Sequence, residues 1–384
     1  MKGLFLCIMS VFLMQCVAQK VSSDPMIELR GTWLTNVDSR VLESRESIAE
    51  AMQFLADHHF NVVYPVVWNK GMTLYKSPTM ERLFGIPIDT LYGERDPLAE
   101  VIEEAHKRDL AVIAWFEFGF SSSYQENGGH LLKARPEWAA RDIHGRLLTK
   151  NGFEWMNAYH PEVQQFLLDL IMEVAGNYQV DGVQGDDRLP AQPSEGGYSP
   201  YTVQVYQQEH GGELPPENHR DPHWLRWRAN ILNRFVERVY NQVKGIDAKI
   251  LVTWSPSIYP WAYEEYLQDW PTWVRNGWAD IIHQQNYRYS IEDYKKVVDD
   301  QSVEKLGIEK LTGLIFPGVL MNVGDYLIDE EFLLQTIAYN RRNGLNGEVF
   351  FFYEGLRRDN NRLAKRLLET YYKQPAKFPF QKRQ

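Results

Sequence analysis

The sequence has little cysteine and no excess of positive charge. Both cysteines of the 384 residues, Cys7 and Cys16, lie near the start, so the rest of the chain forms no internal disulfide and offers no thiol nucleophile. The formal net charge of −10 argues against a nucleic-acid partner. A glycine-rich phosphate loop, a Gly-x-Ser-x-Gly elbow and histidines at metal-ligand spacing are also missing. We therefore predict no cofactor and no bound metal.

The beginning of the chain has the pattern of an export signal. A lysine is followed by residues 4–17, which are apolar apart from two polar side chains and too few to span a bilayer. Cleavage after Ala18 is favoured, and lipid attachment at Cys16 stays open as the alternative. We predict a signal peptide at 1–18, a linker at 19–26 and an exported protein of the periplasm or outer surface. Its membrane contact would be limited to the lipid anchor, which would make it a lipoprotein.

After this leader, short apolar runs rich in Val, Ile, Phe and Trp alternate with amphipathic runs. The first kind is typical of buried parallel strands and the second of surface helices. Strands are predicted at 28–35, 61–68, 111–118, 181–184, 249–254, 280–285, 311–316 and 348–353. Helices are predicted near 44–58, 97–109, 161–177, 223–245, 262–277, 291–303, 329–343 and 358–373. This alternation predicts an α/β fold, a single (β/α)8 TIM barrel over 27–375 with a C-terminal tail at 376–384.

The segments that follow strands two, three and four are long. They cover 69–95, 119–159 and 187–222. Loops that follow barrel strands form the face on which active sites lie. We therefore expect a substrate cleft built mainly by these three loops.

Two adjacent carboxylates and an arginine follow the fourth predicted strand. Asp186, Asp187 and Arg188 would lie on the catalytic face. One carboxylate, held ionised by the arginine, could stabilise or trap an oxocarbenium-like centre while its neighbour binds hydroxyls. The competing interpretation is an ion pair that only orders the loop. The position at a strand end favours catalysis.

Cleavage of a glycosidic bond needs a second carboxylate across the cleft. Glu117 ends strand three and Glu354 ends strand eight, each after an aromatic run of the kind that raises a carboxyl pKa. Either could instead be a buried carboxylate with a structural partner. We slightly prefer Glu354 as the acid, because strand eight lies across the barrel mouth from Asp186.

Amides and aromatic rings at or near other strand ends could bind sugar hydroxyls and stack on sugar faces. The chain has 12 Trp, 21 Tyr and 18 Phe, which could fill a large core, line a sugar cleft, or do both. Asn69 follows Trp68 at the end of strand two. The predicted substrate-binding residues are Trp33, Asn36, Trp68, Asn157, Arg188, Trp254, Tyr259, Gln285 and Tyr287.

Several segments together resemble one bacterial family. They are Arg30-Gly-Thr-Trp-Leu34, Asp96-Pro-Leu98, Ala114-Trp-Phe-Glu117, Val180-Asp-Gly-Val-Gln-Gly-Asp-Asp187, Ser255-Pro256 and Gln285-x-Tyr287. In this order they resemble the glycosyl-hydrolase-like family 10, the family of the divisome-localised peptidoglycan glycosyl hydrolase. The resemblance covers nearly all of the chain after the leader.

The resemblance implies a TIM barrel that cleaves glycosidic bonds of a cell-envelope or other polysaccharide, above all peptidoglycan glycan strands. It also implies that Asp186 and Asp187 belong to the active centre. Many family members have Asn where this chain has Glu117, so Glu117 would be a subgroup feature. We predict a monomeric O-glycosyl hydrolase acting on a polysaccharide or oligosaccharide. The alternative is a non-catalytic glycan-binding barrel, in which Asp186 would lie more than about 10 Å from every other cleft carboxyl.

Overall fold

The structure, a computed structural model, describes residues 26–383. The predicted signal peptide 1–18, the predicted lipid-anchor residue Cys16 and all but the last residue of the predicted linker lie outside the described residues. None of the helices between residues 26 and 383 is long and apolar enough to span a membrane.

Eight parallel strands form the barrel, which confirms the predicted fold. In chain order they are Leu29–Leu34, Val62–Pro65, Ala111–Phe116, Gly182–Gly185, Leu251–Trp254, Ile281–Ile282, Gly318–Leu320 and Gly347–Phe351, and we number them one to eight. Their order in the sheet is six, five, four, three, two, one, eight, seven. Two further parallel pairings, Ile282 with Ile315 and Gln285 with Gly318, join strand six to strand seven and close the barrel.

Helices surround the strands and also fill the long loops. They are Arg45–Asp57, Pro78–Phe84, Pro97–His106, Gly129–Ala134, Pro161–Asn177, Pro200–Glu209, Pro222–Ile246, Trp261–Tyr266, Trp270–Asn276, Ile291–Asp300, Val303–Leu306, Glu330–Arg342 and Tyr353–Glu369. The loop after strand three holds a three-stranded antiparallel sheet of Ser121–Tyr124, Thr149–Lys150 and Phe153–Trp155. Shorter hairpins follow strand two, at Trp68–Asn69 and Met72–Thr73, and strand seven, at Asn322–Val323 and Tyr326–Leu327.

The predicted bounds of strand seven were wrong. The apolar run 311–316 begins in a 3-10 turn, Glu309–Leu311, and the regular strand starts only at Gly318. Pro317 lies between the two and has no N–H to donate to a sheet ladder. Apolar character alone therefore placed the strand too early.

Two predicted helices are interrupted, and the last helix begins earlier than expected. The segment predicted at 262–277 forms two helices separated by residues 267–269, and Leu267 has φ +61°. The segment predicted at 291–303 ends at Asp300, and a separate turn follows. The last helix starts at Tyr353 directly after strand eight and loses helical geometry at 358–361.

Aromatic side chains fill the barrel interior, and their polar atoms form hydrogen bonds with each other and with neighbouring groups. Trp33 donates its Nε1–H to Gln184 Oε1 at 2.6 Å. His283 Nδ1 lies 2.7 Å from the Phe316 carbonyl oxygen, which can only accept, so His283 Nε2 must accept from the Tyr64 hydroxyl at 2.8 Å. Burial lowers the pKa of His283 to about 4, so the ring is neutral. This layer closes the interior beneath the strand ends.

The C-terminal tail crosses the opposite face of the barrel. Lys377 pairs with Ile27, and the Arg383 guanidinium donates to the carbonyl oxygens of Ala175 and Tyr178 at the end of a helix. The Arg383 backbone N–H donates to Asp181 Oδ1 at 2.9 Å. The face of the barrel that lies away from Asp186 is therefore covered by the chain itself.

Candidate active site

Three carboxylates from two neighbouring strands gather around Arg188. Its Nη1 lies 3.1 Å from Asp187 Oδ1, and its Nη2 lies 3.5 Å from both Asp186 Oδ2 and Glu117 Oε1. Arg188 Nε also donates to the Glu117 carbonyl oxygen at 3.1 Å. Because strands three and four are adjacent in the sheet, their ends deliver Glu117 and Asp186 to the same place.

Two glycines allow the backbone turns that build this cluster. A Cβ on Gly185 would lie 2.4 Å from the Leu189 carbonyl oxygen and 2.5 Å from the Trp254 ring, so the turn after Asp186 needs glycine there. Gly119 has φ +52°, and a Cβ there would lie 2.0 Å from the Arg188 carbonyl oxygen. Glycine at both sites brings the loop after strand three against the loop after strand four.

Neutral amides hold the two most buried carboxylates. Gln285 Nε2, at the end of strand six, donates to Asp186 Oδ1 at 2.8 Å. Asn69 Nδ2 donates to Glu117 Oε2 at 2.9 Å and to Asn36 Oδ1 at 2.8 Å. These amides fix the carboxylates without adding charge. The ends of strands one, two, three, four and six thus contribute to one site.

Burial makes the cluster hard to ionise. It raises the pKa of Glu117 to about 7, although the Arg188 charge acts in the opposite direction. Burial, and then the charge of Asp187, raise the pKa of Asp186 well above its usual value. Glu117 can therefore carry a proton near neutral pH, as a general acid must.

The geometry limits the distance between the two buried carboxyl groups. Since Asp186 Oδ2 and Glu117 Oε1 contact the same nitrogen at 3.5 Å each, their separation cannot exceed twice that length. Glycosidase carboxyl pairs lie roughly 5 to 9.5 Å apart. The pair therefore does not meet the condition that would have favoured a binding-only barrel. Among residues 26–383, no group of three or more His, Cys, Asp or Glu side chains is placed to hold a metal ion.

Glu354 does not join this cluster. It begins the first turn of the last helix, and its Oε1 accepts a hydrogen bond from the Ser39 hydroxyl at 2.7 Å. Ser39 belongs to the loop after strand one. The contacts therefore gather Glu117, and not Glu354, with Asp186 and Asp187.

Several predicted binding residues lie in the core. Trp33, Trp68 and Trp254 are at most 1% exposed, which leaves no ring face for a sugar. Trp68 Nε1–H donates to the Gly119 carbonyl oxygen at 2.9 Å, so this ring supports the loop that carries Glu117. Asn157 is equally buried and donates to Thr202 Oγ1.

Three of the remaining predicted residues lie nearer the cleft. Asn36, Gln285 and Tyr287 are half-buried, and the Tyr287 ring packs 5.4 Å from Phe351. Burial is the main cause that raises the pKa of the Tyr287 hydroxyl, and the charge of Asp186 is the second. The hydroxyl therefore lies close enough to the carboxylates to feel their charge. Tyr259 is half-buried, and both its backbone N–H and its carbonyl oxygen bond to Gln301.

Two contributors were not singled out from the sequence. The Phe153 ring lies 4.6 Å from Arg188 Cζ, a cation–π contact that fixes the guanidinium. Tyr266 lies near Asp187. Burial is the main cause that raises the pKa of the Tyr266 hydroxyl, and the negative charge of Asp187 is the second. Phe153 comes from inside the long loop after strand three and Tyr266 from the end of a helix after strand five, so neither lies at a strand end where the sequence would point to it.

Comparison with known proteins assigns the class. The glycosyl hydrolase-like 10 family matches residues 28–316, and the chain belongs to this family. This confirms the resemblance found in the sequence motifs. The match contains Glu117, Asp186, Asp187 and Arg188.

Two named relatives agree with this class. The chain is 25% identical to glycosyl hydrolase DigH of Escherichia coli O6:H1 over 69% of this chain and 66% of DigH, so the match spans about two thirds of that relative. It is 24% identical to glycosyl hydrolase YngK of Bacillus subtilis over 92% of this chain and 73% of YngK.

Two glycosidase structures share the fold. The glycoside hydrolase domain of PgaB (BpsB) from Bordetella bronchiseptica matches with TM-score 0.64 and 15% identity, over 89% of this chain and 98% of that domain. The catalytic domain of β-amylase from Paenibacillus polymyxa matches with TM-score 0.60 and 8% identity, over 90% and 98%. At such low identity these two matches establish the barrel fold alone.

Proposed function

We propose that this protein is an exported glycoside hydrolase that cleaves O-glycosidic bonds in a cell-envelope polysaccharide. One observation carries the proposal: two strand ends place Glu117, Asp186 and Asp187 around Arg188, and burial raises the pKa of one of these carboxyl groups to about 7. A buried acid beside a second carboxylate is the pair that glycosidic hydrolysis requires.

In the proposed reaction, Glu117 donates its proton to the glycosidic oxygen as the bond to the anomeric carbon breaks. Asp186 either attacks the anomeric carbon, forming a glycosyl ester that water then cleaves while Glu117 takes the water's proton, or takes a proton from water that attacks the anomeric carbon directly. Gln285 donates a hydrogen bond that holds Asp186 in place, and the positive charge of Arg188 lowers the pKa of Asp186 against the effect of its burial. Asp187 is the most exposed of the three carboxylates, with 32% of its side chain accessible, and would bind substrate hydroxyls.

The substrate and compartment belong to the same proposal. The export pattern of residues 1–18 directs the chain to the periplasm or outer surface, with a lipid anchor at Cys16 as the alternative form. Peptidoglycan glycan strands are the first substrate to test, because the motif resemblance pointed to them. The reaction calls on no cofactor, and the chain would act as a monomer.

The test is incubation of the purified protein with amidase-treated glycan strands and a panel of other polysaccharides, with the products read by mass spectrometry. We expect shortened oligosaccharides from at least one polymer. Replacement of Asp186 by Asn should reduce this cleavage by a factor of about 10³ or more, in line with the loss of an acid–base or nucleophilic group.

Asp325→Asn is the matched control. Asp325 is exposed in the hairpin after strand seven, so the same chemical change there should leave turnover intact. Near-normal turnover by Asp186→Asn would refute the assignment. Glycan binding without any cleavage by the wild type would favour the non-catalytic alternative.

A further inference from the structure

Three aromatic side chains are highly exposed, and all three lie on the same face as Asp186. Tyr124 follows strand three and is 47% exposed, Trp261 follows strand five and is 45% exposed, and Tyr289 follows strand six and is 67% exposed. The other highly exposed large apolar side chains between residues 26 and 383 are not aromatic. Trp and Tyr combine a large apolar ring with a polar tip, which suits them to binding at a wet surface, so the restriction of these exposed rings to one face points to a binding role.

Tyr124 is connected to the Arg188 cluster by packing against the Phe153 ring. The two rings lie 5.0 Å apart at a steep angle, and Phe153 in turn packs against Arg188. Gly152 keeps the ring in this position, because a Cβ there would lie 2.6 Å from Tyr124 Cε2. The sheet in the loop after strand three therefore presents Tyr124 one ring away from Arg188.

Trp261 is connected to the Arg188 cluster by packing against the Tyr266 ring. The two rings lie 5.4 Å apart, and Tyr266 lies near Asp187. Tyr266 is held from the other side by Asn151, whose Nδ2 donates to its hydroxyl at 3.0 Å, and by Lys150 above the ring at 4.8 Å. A rigid support of this kind keeps Trp261 at a defined distance from Asp187.

Tyr289 lies in the loop of strand six. It follows Tyr287, the half-buried tyrosine of the cluster, by two residues, and it packs edge-on against Tyr326 at 4.9 Å. Tyr326 belongs to the hairpin after strand seven. The ring is therefore supported by a second loop and is not a free side chain at a loop tip.

We propose that Tyr124, Trp261 and Tyr289 form outer sugar-binding subsites and that the enzyme cuts within long glycan chains. Exposed ring faces stack on the apolar faces of sugar rings, and these three rings are spread over the loops of strands three, five and six. An enzyme that removes only a terminal sugar needs no binding surface on several sides of its carboxylates. This inference rests on the proposed function and adds the mode of attack to it.

The experiment compares long and short substrates of one composition. Amidase-treated peptidoglycan glycan strands and the tetrasaccharide prepared from them are cleaved by the wild type and by Tyr124→Ala, Trp261→Ala and Tyr289→Ala. Each alanine variant should raise KM for long strands by roughly tenfold, as truncation of an aromatic anchor at an interface commonly does. The kinetics on the tetrasaccharide should be unchanged.

Leu214→Ala is the matched control, since Leu214 is a 70% exposed aliphatic side chain in the loop after strand four. It should leave KM for long strands unchanged, and Trp261→Phe should restore most of the loss seen in Trp261→Ala. Early wild-type products should be mid-length fragments. Aromatic variants that match Leu214→Ala on long strands, or a wild type that releases only terminal units, would overturn the proposal.

Binding separates this inference from the proposed function. In the Asp186→Asn background, the affinity for the same strands is measured by titration calorimetry with and without Trp261→Ala. If the wild type cleaves nothing but the affinity depends on Trp261, the hydrolase assignment fails and the subsite stands. If the wild type cleaves strands but neither KM nor affinity depends on the three rings, the subsites fail and the hydrolase assignment stands. Absence of both cleavage and binding overturns both.

Discussion

Replacement of Glu117 by Gln should stabilise the folded protein at alkaline pH while it abolishes glycan cleavage. Burial raises the pKa of this carboxyl from 4.5 to about 7. A group whose pKa is raised by folding favours the folded state only while it is protonated. The wild type therefore loses stability as the pH rises above about 4.5, and the loss is complete above about 7.

The size of the effect follows from the shift in pKa. One pKa unit corresponds to about 1.4 kcal/mol, so the shift of Glu117 corresponds to a total of about 3 kcal/mol. Between pH 5 and pH 8 the linkage relation gives a loss of about 2 to 3 kcal/mol from this residue. The glutamine side chain at this position cannot ionise, so the variant does not lose this part of its free energy of unfolding. Its amide oxygen can still accept the hydrogen bond from Asn69.

The assay is urea unfolding of both proteins at pH 5 and pH 8. The stability gained by Glu117→Gln should be larger at pH 8 than at pH 5 by about 2 to 3 kcal/mol. Glu264→Gln is the control, because Glu264 is exposed on the same face and the substitution removes a charge that is already in water. An equal change at both pH values, or destabilisation at pH 8, would refute the account of Glu117 as a buried acid.

Two further predictions concern the cluster around Arg188, and a third concerns the buried Trp68. In a pH–rate profile, kcat/KM should fall as the pH rises through about 7, because Glu117 must be protonated to donate; a rate that stays level up to pH 9 would exclude it as the acid. Arg188→Met should move this alkaline limb to higher pH, because the Arg188 charge lowers the pKa of both Glu117 and Asp186; a shift to lower pH would contradict the cluster electrostatics. Trp68→Ala should reduce the free energy of unfolding by about 3 to 5 kcal/mol, while KM of the remaining folded protein stays near normal. A large rise in KM without loss of stability would instead show that Trp68 contacts substrate in the cleft.

The barrel and the position of its active face could be predicted because their signals are local and repeated. Eight apolar runs separated by helical runs define the architecture, and a residue directly after a barrel strand must lie on the catalytic face. This reasoning placed Asp186 and Glu117 at neighbouring strand ends. It placed strand seven too early, because the apolar run before Pro317 looks like a strand.

The direction of individual side chains could not be predicted in the same way. Glu354 follows strand eight on the expected face, but it lies in the first turn of a helix and bonds to Ser39. Trp68 and Trp254 also lie near strand ends, yet both rings are buried. Contacts across long loops, such as that of Phe153 with Arg188, depend on tertiary packing that no short sequence window contains.

Cleavage in ¹⁸O-labelled water shows whether the cluster around Arg188 hydrolyses a glycosidic bond. Amidase-treated glycan strands are incubated with the wild type and with Asp186→Asn, and the new chain ends are analysed by mass spectrometry. Hydrolysis by this cluster should leave one ¹⁸O atom at each new reducing end from the wild type and almost no new ends from the variant. Ends without the label, or equal cleavage by both proteins, would contradict it.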